Sequence, residues 1–238
     1  MQLDVRDAAG IFDVSEKTIY RWIKQKDLPA YRINDQYRFN RAELLEWATA
    51  RKVNVSADIL HEPDAGEWPP PSLDEALRSG GIHYRVGGAD KASVLRAVVD
   101  LMHLPREVDR TFLYQVLLAR ESLGSTAIGE GIAIPHVRNP IVLHIPHPTI
   151  TLCFLEHPID FGALDGLPVG VLFTLVSPTV RAHLHLLSKL AFALRDPQFK
   201  DVMIRKGSRE EIANEVRRIE ESIGSPVTSS HSRISNGS

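Results

Sequence analysis

Three consecutive prolines, Pro69 to Pro71, lie in the polar run VNVSADILHEPDAGEWPPPS. Each fixes φ and removes a backbone donor, so neither a helix interior nor a central strand can pass through them. Residues 53–72 therefore read as a linker of limited flexibility. The chain of 238 residues is thereby divided before any element is assigned, into a small unit over 1–52 and a larger one over 73–223 that has the size of an ordinary domain. The closing GSPVTSSHSRISNGS, residues 224–238, is serine-rich and polar and is expected to be disordered. No internal repeat is visible.

In the small unit, Ala8, Ala9, Ile11 and Phe12, then Ile19, Trp22 and Ile23, fall at spacings that build the inner faces of two short helices. Ser15 is placed to cap the second, with Glu16 in its first turn. The stretch AYRINDQYRF alternates around an Asn-Asp turn signal and predicts a small hairpin. A third helix then carries Leu44, Leu45 and Trp47. Two helices, a hairpin and a closing helix make a winged helix-turn-helix.

The apolar side of the second helix is used by Ile19, Trp22 and Ile23, which leaves Lys17, Thr18, Arg21 and Lys24 facing outward, joined by Arg32 and Arg38 on the hairpin. Such side chains contact phosphates and base edges. From Ser15 to Arg41, seven basic residues (17, 21, 24, 26, 32, 38, 41) against three acidic ones (16, 27, 35) give +4, in a chain whose sum is −2. The text SEKTIYRWIKQKDLPAYRINDQYRFNRAELLEW resembles the MerR and excisionase-type winged helix-turn-helix family over most of residues 2–50. The competing reading is a helical packing module with a solvated charged face. One such module neutralises few phosphates, so DNA binding is expected to be weak and salt-sensitive unless a homodimer acts.

The balance of −2 argues against a globally basic coat protein, and 43% apolar residues suffice for a core. The single Cys153 lies in the apolar run TLCFL and points to a reducing compartment. MQLDVRDAAG has neither the basic nor the apolar segment of a leader, and VGVLFTLV (169–176) is the length of a buried strand, too short to span a bilayer. A soluble, cytoplasmic protein without membrane insertion is expected.

In the larger unit, helices are predicted over 90–103, 107–121, 183–195 and 210–223, and strands over 150–155 and 169–176. That alternation predicts a layered α/β (α+β) domain around a central sheet.

RESLGSTAIGEGIAIPH, 120–136, carries the chemistry. A histidine that takes a phosphoryl group needs an accessible neutral nitrogen, and donors for the phosphoryl oxygens. Gly124, Gly129 and Gly131 allow a close turn, Ser125 and Thr126 offer hydroxyls, and Arg120 offers a guanidinium fork. Pro135 fixes the backbone ahead of His136, predicting a ring that is displayed and not packed.

This run, with PIDFGALDGLPVGVLFTLVSP and AHLHLLSKLAFALRD, resembles the enzyme IIA domain of the fructose/mannitol class of the bacterial phosphotransferase system, above all its nitrogen-regulatory branch, over about residues 73–223. The resemblance implies a mixed sheet flanked by helices and a histidine phosphorylated by a phospho-HPr-like carrier. It matches His136 to the phosphorylated histidine, Arg120 to the arginine that steadies the phosphate, and His183 to the second active-site histidine. His185 is expected to be peripheral. Where relatives commonly have Gly and then a polar residue after the histidine, Val137 and Arg138 follow here, and a side chain at 137 could reshape the mouth of the site.

Six of the ten histidines (136, 144, 147, 157, 183, 185) crowd into fifty residues, but HIPH and HLH fit no strong zinc signature, so no metal or other cofactor is expected. Glu130, Asp160 and Asp165 read as solvated loop carboxylates, and GSTAIG is not a nucleophile elbow. The expectation is a phosphotransferase component, not a stand-alone metabolic enzyme. It is charged on His136 and couples that charge to DNA binding. One alternative is a sugar-transport enzyme IIA that serves a separate IIB component. Another is a docking regulator that accepts no phosphate.

Overall fold

The computed structural model describes residues 2–25, 27–33, 36–51, 53, 55, 71–137 and 145–224. Lys26, the Asn34-Asp35 turn, Pro69 and Pro70 with most of the linker, Arg138, His144 and the tail beyond Gly224 lie outside the described residues.

The N-terminal part runs β1 (Gln2–Leu3), α1 (Val5–Phe12), α2 (Glu16–Lys24), β2 (Tyr31–Ile33), β3 (Gln36–Asn40) and α3 (Arg41–Arg51). Asp4 caps α1 in a reciprocal pair with Asp7, and Ser15 caps α2 by accepting from the Thr18 N–H. Between the helices Asp13 sits at φ 50°, a left-handed residue that Asp tolerates. Strands β2 and β3 pair as the expected hairpin, and β1 adds to β3. Phe12, Trp22 and Trp47 form an aromatic knot, with ring centroids 5.1–5.8 Å apart. Ala8, Ile19, Leu28, Phe39, Leu44 and Ala48 close around it.

The C-terminal part runs α4 (Leu73–Gly80), β4 (Ile82–Val86), α5 (Lys91–Leu101), α6 (Arg110–Ser122), β5 (Ala127–Gly129), β6 (Ile132–Ala133), β7 (Thr149–Ile159), β8 (Val169–Val176), α7 (Val180–Ala193), α8 (Pro197–Ile204) and α9 (Arg209–Gly224). Side-chain caps set the helix starts: Ser72, Asp90, Asp109, Thr179 and Asp196, the last followed by Pro197 at the first helical position. All eight ends of the four sequence-predicted helices lie one to three residues from the observed ones. Among the described residues, five strands form a sheet of order β4-β7-β8-β6-β5. Strands β4 and β7 pair in parallel, as do β6 and β8; β7–β8 and β5–β6 are antiparallel. The sheet is therefore mixed.

Alternation along the central strands feeds two cores. Ile150, Leu152, Phe154, Phe173 and Leu175 face α4, α7, α8 and α9. Cys153, Leu155, Leu172 and Val176 face α5 and α6. Helix α4 crosses β7 so closely that a Cβ on Gly80 would lie 2.3 Å from the Ile150 carbonyl oxygen, so only glycine fits there.

The two parts share a joint. Leu44, Trp47 and Ala48 of α3 point into the N-terminal core, but Leu45 turns the other way, is 1% exposed, and joins the core on the α7 side of the sheet. Helix α3 lies against α7 and β5. Val55 packs against both cores.

Candidate functional site

Beyond β6 the chain continues alongside β8: Leu175 N–H donates to the Pro135 carbonyl at 2.9 Å, and His136 bridges Leu175 in parallel. Alternation then decides where each side chain goes. Ile134 and His136 share the face covered by α7, while Val137 goes to the opposite core. The His136 ring lies 5.2 Å, centroid to centroid, from that of His183, which stands in the first turn of α7 above its Thr179 cap. His136 Nδ1 donates to the Ile134 carbonyl at 2.8 Å. A carbonyl can only accept, so Nδ1 carries the proton and Nε2 the lone pair in the neutral ring.

Two expectations are corrected here. His136 is 3% exposed and His183 1%, so the ring is packed against its neighbour and not displayed; strand pairing with β8 draws it under α7. Val137 does not shape the mouth of the site, because it is buried in the α5–α6 core.

The loop between α6 and β5 joins the site through Thr126, whose carbonyl accepts from the Ile134 N–H at 3.0 Å. Arg120, in the last turn of α6, donates from Nη1 to the Gly124 carbonyl at 3.0 Å. The Ser125 hydroxyl donates to the Phe161 carbonyl at 2.6 Å and the Thr126 hydroxyl to Glu121 at 2.6 Å, so both hydroxyls serve to shape the loop. Gly129 (φ 87°) and Gly131 (φ 75°) form the turn between β5 and β6 with Glu130. Five residue steps of extended chain, about 16 Å, separate Gly131 from His136, so the pair serves the hairpin and not the histidine. The loop carboxylates are occupied as well: Glu130 pairs with Lys200 at 2.9 Å, Asp165 accepts from the Glu130 and Leu167 N–H groups, and Asp160 accepts from that of Gly162.

Sequence reading passed over Glu121 and Lys91. The Glu121 carboxylate is buried at the end of α6, accepts both the N–H and the hydroxyl of Thr126, and pairs with Lys91 Nζ at 3.1 Å. The signal was present: Leu113, Leu117 and Glu121 recur every four residues, so an acid occupies a buried apolar stripe.

On α2, Lys17, Arg21 and Lys24 are exposed on one face. Tyr20, half exposed and 6.1 Å from Tyr37 of β3, shares that face and was not singled out in the sequence. Thr18 is committed to the cap, its hydroxyl 3.1 Å from that of Ser15. Arg38 donates to Gln36 at 2.6 Å, and Arg32 lies in β2 opposite Tyr37. His185 is half-buried, and His147 and His157 are exposed. Among the described residues no three His, Cys, Asp or Glu side chains converge, and no helix is long and apolar enough to cross a membrane.

Residues 75–218 match the family model of the EIIA 2 component of the phosphoenolpyruvate-dependent sugar phosphotransferase system. The chain belongs to this EIIA family. Residues 3–52 match a helix-turn-helix domain. A nitrogen regulatory protein of Pseudomonas aeruginosa is 38% identical over 133 residues, which is 54% of this chain and 84% of that protein. The nitrogen regulatory protein of Escherichia coli is 35% identical over 130 residues, 52% and 76% of the two chains. The crystal structure of nitrogen regulatory protein IIA-Ntr from Neisseria meningitidis superposes with a TM-score of 0.52 at 30% identity, covering 60% of this chain and 98% of that one. The EIIA family and its mixed sheet between helices thus agree with the sequence-based expectation.

Proposed function

We propose that this chain is a phosphoryl-accepting regulator in which an EIIA domain of the nitrogen-regulatory type, residues 73–223, is joined by the 53–72 linker to a DNA-binding domain over 1–52. The observation that carries the proposal is the His136 ring, whose Nδ1 proton is held on the Ile134 carbonyl beside the His183 ring. Nε2 is thereby the attacking atom. As its lone pair forms the new N–P bond, the P–N bond to the carrier's imidazole breaks and its electron pair returns to that nitrogen. The proton stays on Nδ1, hydrogen-bonded to the Ile134 carbonyl, which steadies the positive ring that results. Arg120 and His183 supply donors to the phosphoryl oxygens. The donor is a phospho-HPr-like carrier, which places the protein in the cytoplasm. The onward partner is a regulatory target or a IIB component.

Both rings are buried in this arrangement, and in this reading the carrier gains Nε2 by displacing the chain packed around them. Helix α3 lies on the same face, against α7 and β5, and leaves Lys17, Arg21 and Lys24 exposed. In this reading the docked form leaves the α2 face exposed and restricts access to the acceptor. Opening to admit the carrier, followed by a dianionic group on His136, separates the two domains and changes DNA occupancy. Lys17, Arg21, Lys24, Arg32 and Arg38 hold the phosphates, with a homodimer needed for firm binding. Retention of DNA by the protein, measured before and after charging by a phosphoenolpyruvate-driven relay, tests the coupling. A change in the wild type that His136→Ala abolishes supports it. Equal retention in both states contradicts it.

A further inference from the structure

We infer that Glu121, neutralised by Lys91, is a positioning residue for phosphoryl acceptance: it sets the tautomer and direction of the His136 ring through Thr126 and Ile134. The inference rests on the reading of His136 as the acceptor.

The geometry forms an unbroken line. Lys91 Nζ lies 3.1 Å from Glu121 Oε1. The Thr126 N–H donates to both carboxylate oxygens at 3.1 Å, and its hydroxyl donates to Oε2 at 2.6 Å. Held in this way, Thr126 offers its carbonyl to the Ile134 N–H at 3.0 Å. Ile134, anchored at its N–H, presents its carbonyl, which lies in the next peptide, to His136 Nδ1 at 2.8 Å. Lys91 is held in turn over the Phe161 ring, 4.9 Å from its centroid, and Phe161 is tied to Ser125.

A carboxyl group with a side chain only 1% exposed is costly to bury, and a packed apolar residue at this place in the 113–117–121 stripe would serve stability at least as well. What an apolar residue could not do is accept two bonds from one threonine and so hold the 124–126 loop in a single register. The hydrogen bonds Glu121 accepts come from Thr126, so it acts on the ring through the backbone that orients it.

Glu121→Gln keeps the shape but turns one acceptor into a donor facing Lys91 and Thr126. In the full chain, transfer from a phosphorylated HPr-type carrier should slow by about 10- to 100-fold, the usual consequence of a small misplacement of a reacting atom. Ring-nitrogen NMR of His136 supplies a readout that a merely structural role would not move. The wild type should show the Nδ1–H form, and E121Q a mixture of tautomers, with thermal midpoints compared alongside. Should E121Q fail to fold, Lys91→Met leaves the Thr126 bonds formed and removes only the counter-charge. It should give a smaller change in the same direction. A folded variant with wild-type tautomer and wild-type rate overturns the inference, as does a rate loss no larger than its unfolded fraction. The spectrum needs no carrier. A wild type that takes no phosphoryl group, yet loses its tautomer preference in E121Q, refutes the proposed function and upholds the positioning role.

Discussion

Leu45→Ala tests how the two parts of the chain are joined. Leu45 is 1% exposed, and its side chain enters the core on the α7 side, away from the N-terminal core served by Leu44 and Trp47. Fully burying a leucine side chain is worth about 1.5–3 kcal/mol, and truncating one in a rigid core costs about 2–5 kcal/mol once the cavity is included. At a joint between two cores the surfaces can part, so the loss goes into the equilibrium between docked and undocked forms. About 2 kcal/mol shifts that equilibrium roughly 30-fold. The expected result is faster hydrogen exchange in α7 and β5 and faster phosphoryl acceptance at His136, with the N-terminal core intact. Leu44→Ala is the control. Leu44 is wholly buried in the N-terminal core, so its loss should lower the stability of that core and leave acceptance unchanged. If Leu45→Ala behaves as Leu44→Ala does, with lower stability and an unaltered rate, α3 does not cover the site and the reasoning fails.

Glu220 should make the C-terminal core acid-sensitive. Burial raises its pKa, but bonds from Leu73 N–H, Lys189 and Ser72 outweigh burial and hold it below the usual carboxylate range. The stability it contributes is therefore complete above the ordinary glutamate range and is lost as pH falls through the lowered value. Glu220→Gln should flatten that limb of a urea-denaturation series against pH. Cys153 is fully buried, which pushes its thiol up to about 12, so the folded protein should resist thiol-reactive dyes at pH 8 and react only on unfolding. Arg21→Ala should weaken DNA binding uniformly across sequences and reduce the slope of log affinity against log salt by about 1, as measured by titration at several salt concentrations.

Much of this architecture was legible because it rests on local signals. The cap at Ser15 and the apolar runs of β7 and β8 are written in consecutive residues. Strands β5 and β6, two or three residues each, are too short to show a period and exist only because β8 offers them a partner. Helix α4, just beyond the linker, and α8 were both missed, although Ser72 and Asp196-Pro197 are start signals. At the site, residue types named the chemistry but not the exposure. The proline before His136 predicted display, and it took the β8 pairing to show that the ring faces α7. Leu45 was read as an ordinary core residue because periodicity locates an apolar face without revealing that one helix serves two cores.

The most direct test of the central claim is transfer of labelled phosphate from phosphoenolpyruvate, through its relay proteins, to the full-length chain. One label per chain is expected, stable to base and lost in acid, mapped to His136 Nε2 and absent from His136→Ala. Label on another residue, or none on a folded wild type in the presence of an active relay, would contradict it.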